Sequence, residues 1–395
     1  MRIYADNAAT TKMSKKALET YVDVAQKYTG NPSSLHTSGQ LAKEELERAR
    51  QKVASLIGAK SGEIYFTSGG SEADNQAIMS CALRGAVKGK KHIVSTAFEH
   101  HAVLHVLKKL EKDGFEITLV NVNKNGIVNP EDIEKAIRED TCLVTVMFAN
   151  NEVGTIQPIA EIGKICREKG VLFHTDAVQA AGHLALDVES MNIDLLSLSA
   201  HKFNGPRGVG ALYARRGVIL KNLIEGGAQE KGKRAGTESL AAISSMAEAL
   251  EESVKNMEKD TEKLLVLRNA LISGLSKIPH STLNGDEKVR LASNVNFCFE
   301  GIEGESLLLL LDDKGIEASS GSACTSGSLD PSHVLLALGL PKDVAHGSLR
   351  ITLSPENTLE EAEYIVKSVE EVVSYLRSIS PVWEELETGA REYIL

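Results

Sequence analysis

The clearest indication of the fold lies in residues 194–208, DLLSLSAHKFNGPRG, where an apolar run ends in a basic pair and a Gly/Pro turn. The run predicts a strand over Leu195–Ser199, and Lys202 follows it almost at once. A lysine in that position is not typical of a solvated surface. In a desolvated pocket the pKa of a lysine falls, and the neutral amine can form a Schiff base or abstract a proton.

The chain on either side of this stretch alternates short apolar runs with helical patterns. That alternation predicts an α/β fold in which helices cover a mostly parallel sheet. The predicted strands are Glu63–Thr67, His92–Ser95, Glu116–Val120, Leu143–Phe148, Val171–Thr175, Leu195–Ser199 and Gly210–Tyr213. The predicted helices between them are Glu72–Val87, His101–Asp113, Pro130–Ile137 and Ile159–Lys169.

The pattern changes after Thr237. A helical pattern over Ser239–Lys277 is longer than one domain needs and indicates a connector. Further strands are predicted at Ala292–Phe299, Ile316–Ala318 and Leu349–Leu353, with a closing helix at Glu360–Ile379. We expect a large α/β domain over residues 15–255 and a smaller α+β domain over residues 1–14 and 256–395.

The bulk composition excludes several classes of protein. The 395 residues carry a formal net charge of -10, whereas a nucleic-acid-binding domain is normally basic. No apolar stretch reaches the 18 residues that a membrane span needs, and residues 1–7 lack the pattern of a signal peptide. The five cysteines have no paired spacing, which favours a reducing compartment. We therefore expect a cytoplasmic protein without a nucleic-acid or membrane partner.

Two further strand ends carry polar groups. Residues 66–75, FTSGGSEADN, place small residues before a helix that starts near Ser71, where a phosphate group can bind. Taken alone, the segment is better explained by an ordinary strand–turn–helix with a serine cap. Residues 171–179, VLFHTDAVQ, end a buried strand in Asp176, at the sheet edge where ligands bind in α/β proteins. Asp176 capping the next helix is the alternative.

The combination is more specific than its parts. An anion site, a strand-end carboxylate and a strand-end lysine, in that order on one sheet, are what pyridoxal 5'-phosphate (PLP) requires. Other segments match a known family from end to end: YADNAATT at 4–11, GNPSSLH at 30–36, Glu99-His100, NNEVG at 150–154, SAHK at 199–202, RAGTE at 234–238 and GSACTS at 321–326. The chain resembles the class V aminotransferase-like PLP enzymes of fold type I, and among them the cysteine desulfurases of the NifS/IscS type.

The resemblance implies a role for each matching residue. Lys202 would form the Schiff base with PLP and act as the base at Cα, and His100 would stack on the ring and transfer a proton. Asp176 would hold the ring nitrogen and Gln179 the phenolate oxygen. The remaining roles are phosphate binding and contact with the substrate carboxylate. The phosphate group would be held by Gly70, Ser71, Ser199 and His201, with Thr237 from the other subunit of a homodimer, and the substrate by Asn151 and Arg350.

Cys324 lies in SSGSACTSGS, residues 319–328, a run of small residues without the packing partners of a core cysteine. The resemblance implies that its thiolate attacks the sulfur of bound L-cysteine, leaving L-alanine and a persulfide. It further implies that the sulfur passes to a scaffold or acceptor protein for iron–sulfur cluster assembly. Alternatives are a selenocysteine lyase, another PLP-dependent β-eliminating enzyme, or a non-catalytic sulfur-carrier-binding protein. His101 and His105 are spaced like metal ligands, but the usual third ligand is missing and no metal is predicted.

Overall fold

A computed structural model describes residues 2–320 and 331–395. Twelve strands lie in these ranges, and most are short and fully buried, as parallel strands covered on both faces are. In chain order they are β1 (Ile3–Tyr4), β2 (Ile64–Thr67), β3 (His92–Thr96), β4 (Glu116–Val120), β5 (Thr141–Thr145), β6 (Leu172–Asp176), β7 (Leu195–Ser199), β8 (Gly210–Ala214), β9 (Ser281–Leu283), β10 (Asn294–Phe299), β11 (Ile316–Glu317) and β12 (Ser348–Thr352).

Thirteen α-helices lie in the same two ranges, together with 3-10 turns at Ser61–Glu63 and Ala200–Lys202. The helices are α1 (Lys15–Lys27), α2 (Thr37–Leu56), α3 (Gly70–Val87), α4 (His101–Lys112), α5 (Pro130–Ala136), α6 (Ile159–Lys169), α7 (Gln229–Gly232), α8 (Leu240–Leu275), α9 (Gly304–Asp313), α10 (His333–Ala337), α11 (Lys342–Ala345), α12 (Leu359–Ser378) and α13 (Pro381–Glu387). None of these helices is long and apolar enough to cross a membrane.

Seven strands form the main sheet in the order β2-β8-β7-β6-β5-β3-β4. Within this sheet β8 alone runs opposite to the other six strands, so it is antiparallel to both of its neighbours, β2 and β7. The predicted α/β fold with a mostly parallel sheet is therefore confirmed. Because the strands from β7 to β4 are parallel, their carboxyl ends meet along one edge, which is where ligands bind in open α/β sheets.

The strand predicted over Leu143–Phe148 differs from β5, which begins two residues earlier and ends at Thr145. The difference has a local cause. Met147 donates its backbone N–H to Glu99 Oε1 over 3.0 Å instead of to a neighbouring strand. On its other side the chain still donates to β6, from Val146 to His174 O and from Phe148 to Asp176 O, so the ladder is interrupted on one side only.

The helix α8 runs between two apolar cores. Residues from Leu240 to Leu250 pack in the core of the main sheet, whereas residues from Leu264 to Leu275 pack against β10, β12, α9 and α12. The second core also contains Ile3 and Ala5 from the N-terminus. β12, β10 and β9 form a small antiparallel sheet there, and β1 pairs with β11. The domain boundaries at residues 14 and 255 stay a prediction.

Candidate active site

The carboxyl ends of the parallel strands open into a cavity of about 300 Å³. Most of the side chains that the sequence singles out line it, although they come from segments spread between residues 70 and 350. The predicted residues that line it are Gly70, Ser71, His100, Asn151, Asp176, Gln179, Ser199, His201, Lys202 and Arg350. Five other residues line the cavity without a role predicted from the sequence: Ala8, Ala9, Asp74, Met147 and Val178.

Two predicted residues are not in this cavity. Thr237 is exposed and lies in a separate recess with Ser68, Gly208 and Arg234. Cys324 lies outside the described residues. The described residues on either side of this gap lie at or near the cavity. Before it, Ser319 exchanges two backbone hydrogen bonds with Arg350, and after it the Ser332 hydroxyl donates to Glu152.

The lysine at the end of β7 is held at the cavity wall by the N-terminal segment. Lys202 donates from Nζ to the carbonyl oxygens of Ala8 and Ala9, at 2.5 and 2.9 Å. Gln179 also donates to Ala8 O, at 3.0 Å. Residues 8 and 9 thus position two of the predicted side chains through main-chain atoms, for which side-chain chemistry gives no signal.

Asp176 ends β6 and is buried, with 5% of its surface exposed. Burial raises the pKa of this carboxyl to about 6, and the Val178 N–H, which donates to Oδ1 over 2.9 Å, and the Lys202 ammonium oppose the rise. The carboxyl is therefore ionised at neutral pH although it is buried. A carboxylate in such a position favours a cationic partner.

Two histidines on the cavity wall are uncharged at neutral pH. Burial and the Lys202 charge lower the pKa of His100 and that of His201 to about 4. His100 begins α4, and its Nδ1 accepts from Ala102 N over 3.1 Å, which leaves the ring proton on Nε2. His201 pairs through Nδ1 with Thr10 Oγ1 over 3.1 Å. His100 can therefore donate a proton from Nε2 to a group in the cavity.

An anion site adjoins the cavity at the N-terminus of α3. Gly70, Ser71, Ser199 and His201 line both the cavity and a neighbouring open recess, to which Arg207 contributes the cation. Gly70 is required by close packing, because a Cβ there would lie 2.6 Å from Val178 Cγ2. The N-terminus of this 18-residue helix, together with the nearby hydroxyls and the guanidinium, suits a phosphate group.

Arg350 on β12 is almost fully buried, with 2% exposed. Its Nη2 donates to Asp6 Oδ1 over 2.8 Å and its Nη1 to Asn151 O over 3.0 Å. Its Nε has no partner among residues 2–320 and 331–395. An arginine held in this way presents the N–H groups that bind a carboxylate.

The four cysteines that the structure describes are all buried thiols. Burial raises the pKa of Cys142 to about 11 and that of Cys298 to about 12, and it raises the pKa values of Cys81 and Cys166 further. At neutral pH none of them forms a thiolate. Over the described ranges no three His, Cys, Asp or Glu side chains are arranged to hold a metal ion.

The profile of the class V aminotransferases (Aminotransferase class-V) matches residues 3–365. The chain belongs to this family. It is 51% identical over 387 residues to the cysteine desulfurase IscS of Clostridium botulinum, covering 97% of both chains. It is 52% identical to the IscS of Methanosarcina thermophila, covering 96% of this chain and 94% of the relative. A solved NifS-like protein matches with a TM-score of 0.89 at 38% identity, over 95% of this chain and all of the other.

The predictions of the family, of PLP as cofactor and of fold type I are therefore confirmed. The cavity of this class V aminotransferase family member also fits PLP on its own chemistry. It offers an anion site, a buried carboxylate and an amine around a space of about 300 Å³. Asp176 would hold the ring nitrogen, Lys202 the carbonyl carbon, and the residues of the anion site the phosphate.

A buried glutamate next to the site makes the stability of the PLP-free protein depend on pH. Glu99 accepts through Oε1 from Thr96 and Met147, its Oε2 has no partner among the described residues, and burial raises its pKa to about 8. The folded state therefore keeps a proton that the unfolded chain releases above pH 4.5. The contribution of Glu99 to the free energy of unfolding is therefore fully present below pH 4.5, falls as the pH rises above this value, and is lost once the pH passes about 8.

We expect Glu99→Gln to remove this pH dependence, because glutamine keeps the acceptor oxygen and cannot ionise. The PLP-free variant should melt about 2–4 °C above the wild type at a pH about one unit above the pKa, and at the same temperature at a pH near the value of an exposed glutamate. Calorimetry at both pH values measures the difference. A difference that does not change with pH would show that Glu99 has the same pKa in the folded and the unfolded protein, which would contradict a raised pKa in the folded state.

Proposed function

We propose that this chain is a PLP-dependent cysteine desulfurase that converts L-cysteine to L-alanine and transfers the sulfur to Cys324 as a persulfide. The observation that carries the proposal is the single cavity in which ten residues from distant segments converge. The names of the relatives that match over nearly the whole chain support it. The persulfide would supply sulfur to an acceptor or scaffold protein for iron–sulfur cluster assembly.

The proposed reaction balances without an external oxidant or reductant. The carbon–sulfur bond of cysteine breaks, a sulfur–sulfur bond forms at Cys324, and a proton takes the place of the sulfur on Cβ. Bound PLP supplies the electron sink for the bond changes at Cα and Cβ. The protein groups bind the substrate carboxylate, remove the Cα proton and return protons to the product.

Each group is proposed for a role that its surroundings support. Arg350 and Asn151 would bind the substrate carboxylate, and the Lys202 amine would remove the Cα proton. His100, neutral and protonated at Nε2, would supply a proton. Cys324 is proposed as the nucleophile because the four described cysteines are buried thiols with raised pKa values. In addition, the chain before residues 321–330 contacts the cavity residue Arg350, and the chain after them contacts Glu152, the neighbour of the cavity residue Asn151.

The decisive measurement is product analysis after incubation with PLP and L-cysteine. We expect L-alanine in amounts that match the sulfur recovered as persulfide or sulfide. Pyruvate and ammonia in place of alanine would indicate β-elimination and would overturn the proposal. Turnover of selenocysteine alone would indicate a selenocysteine lyase.

We further propose a homodimer in which Thr237 of one protomer contacts the phosphate group bound by its partner. Two observations support this arrangement: Thr237 is exposed, and it lies apart from the cavity of its own chain. Sedimentation of the PLP-bound protein tests the oligomeric state. The cytoplasmic location stays a prediction.

Arg350→Ala is expected to raise the KM for L-cysteine about 100-fold, because a hydrogen-bonded charge partner of the carboxylate is lost. Arg350→Lys should recover only part of the affinity, because an ammonium group cannot form the paired contact of a guanidinium. Initial rates over a range of cysteine concentrations give KM and kcat for both variants.

A matched control separates substrate binding from folding. Arg290 is also buried, but it donates to the backbone carbonyls of Val153 and Asn284 and does not line the cavity. Arg290→Lys should lower the melting temperature without changing KM. If Arg350→Lys and Arg290→Lys change KM equally, Arg350 has no specific role in binding cysteine.

A further inference from the structure

A second buried carboxyl group lies beside Asp176 in the cavity. Asp74 is on the second turn of α3, and only 1% of its surface is exposed although it lines the cavity. Its Oδ1 has no hydrogen-bond partner in residues 2–320 and 331–395. A buried polar atom without a partner costs free energy, so its presence in a binding site points to a role there.

An uncharged histidine lies close to Asp74. His174 Nε2 is 3.6 Å from Asp74 Oδ1. Its two nitrogens already pair with hydroxyls, Nδ1 with Thr145 Oγ1 at 2.8 Å and Nε2 with Ser197 Oγ at 3.1 Å. Burial lowers the pKa of His174 to about 3, so it does not compensate a negative charge on Asp74.

The charges around the two aspartates are unequal. Asp176 accepts a hydrogen bond from the Val178 N–H, and the Lys202 ammonium favours the ionised form of Asp176. Burial raises the pKa of Asp74 well above that of an ordinary aspartate, the carboxyls of Asp176 and Glu99 add to the rise, and only the Ser197 hydroxyl opposes it. Two adjacent buried carboxyls of which one has a cationic neighbour favour one ionised and one neutral group.

We propose that Asp74 carries a proton at neutral pH and stays uncharged beside Asp176, so that a single carboxylate charge faces the ring nitrogen of the cofactor. Asp74 is thus a positioning residue for the cofactor. The inference uses the PLP site of the proposed function and not the desulfurase reaction itself. An additional negative charge at this end of the cavity would change the proton affinity of the ring nitrogen.

Infrared difference spectroscopy of the PLP-free protein tests the protonation state directly. At pH 7 the spectrum of the wild type should contain a carbonyl band of a protonated carboxylic acid that is missing from the spectrum of Asp74→Asn. The other buried acids, such as Glu99, cancel in this difference. Loss of the paired bands of an ionised carboxylate instead would overturn the proposal.

Cofactor binding provides the second test. Asparagine resembles a neutral aspartic acid, so Asp74→Asn should bind PLP within about twofold of the wild type and keep the pH midpoint of the bound-cofactor absorbance. Asp74→Ala should bind PLP about tenfold more weakly, because a buried hydrogen-bonding group is lost. A shifted midpoint in Asp74→Asn would show that Asp74 is charged in the PLP-bound protein, against the proposal.

Asp194 is the matched control, since it is a buried aspartate of the same sheet that does not line the cavity. It pairs with Arg215 Nε over 2.5 Å and accepts from Phe173 N over 3.0 Å. Asp194→Asn should lower the melting temperature and leave the absorbance midpoint unchanged. Because no measurement here uses alanine formation, the inference and the proposed function succeed or fail separately.

Discussion

Lys202→Ala is expected to reduce the rate of alanine formation from L-cysteine at least about 10³-fold. The variant loses both the amine that joins the cofactor and the group that removes the Cα proton, and general-base catalysis alone contributes about 10²–10⁴-fold. The structure places this amine on the cavity wall, where two backbone carbonyls fix its position. Borohydride reduction followed by peptide mapping tests the first role, and single-turnover alanine formation tests the second.

The wild type should yield one reduced adduct, at Lys202, and the variant none. Lys43→Ala is a suitable control, because Lys43 is an exposed residue of α2 that does not line the cavity. It should retain the adduct and the wild-type rate. A reducible adduct at another lysine in Lys202→Ala, with activity preserved, would refute the role of Lys202.

Cys324→Ala is expected to abolish desulfurase turnover, by at least about 10³-fold, and to leave PLP binding unchanged. The nucleophile that accepts the sulfur is lost, whereas no group proposed to hold the cofactor is altered. Alanine measured by mass spectrometry, persulfide labelling and the absorbance of bound PLP give the three readouts. Full alanine formation in the variant would exclude Cys324 as the nucleophile.

Cys142→Ala supplies the control for Cys324. Cys142 is a buried thiol on β5, and its hydrogen-bond partner is the His92 carbonyl. We expect its replacement to cost about 1 kcal/mol of stability and to leave turnover unchanged. Equal losses of activity in both variants would indicate that general damage to the protein, and not a missing nucleophile, explains the result.

The main sheet was predictable because buried parallel strands appear in a sequence as short apolar runs. The helices α1 and α2 were not predicted. The buried face of α2 consists largely of small residues, such as Gly39, Ala42 and Ala49, and of Arg50 paired with Glu230. Apolar periodicity does not register such an interface, since small and charged residues carry little hydrophobic signal.

The site was predictable where side-chain chemistry follows a strand end, as with Asp176 and Lys202. It was not predictable where the backbone supplies the contact, as with Ala8 and Ala9. Asp74 lies one turn inside a helix and has the appearance of an ordinary polar helix residue. Arg207 lies within residues 194–208, but its role at the anion site was not predictable, because only the fold brings it there.

The first ten residues have a consequence for how the protein is made. Asp6 pairs with Arg350 across 344 residues of sequence, and Asn7 donates to Thr352 O. A ribosome adds about 5–20 residues per second, so β12 is synthesised roughly 17–70 s after the N-terminal segment that holds Lys202. The cavity is therefore completed late in synthesis, and a nascent chain has no finished cofactor site during that whole interval.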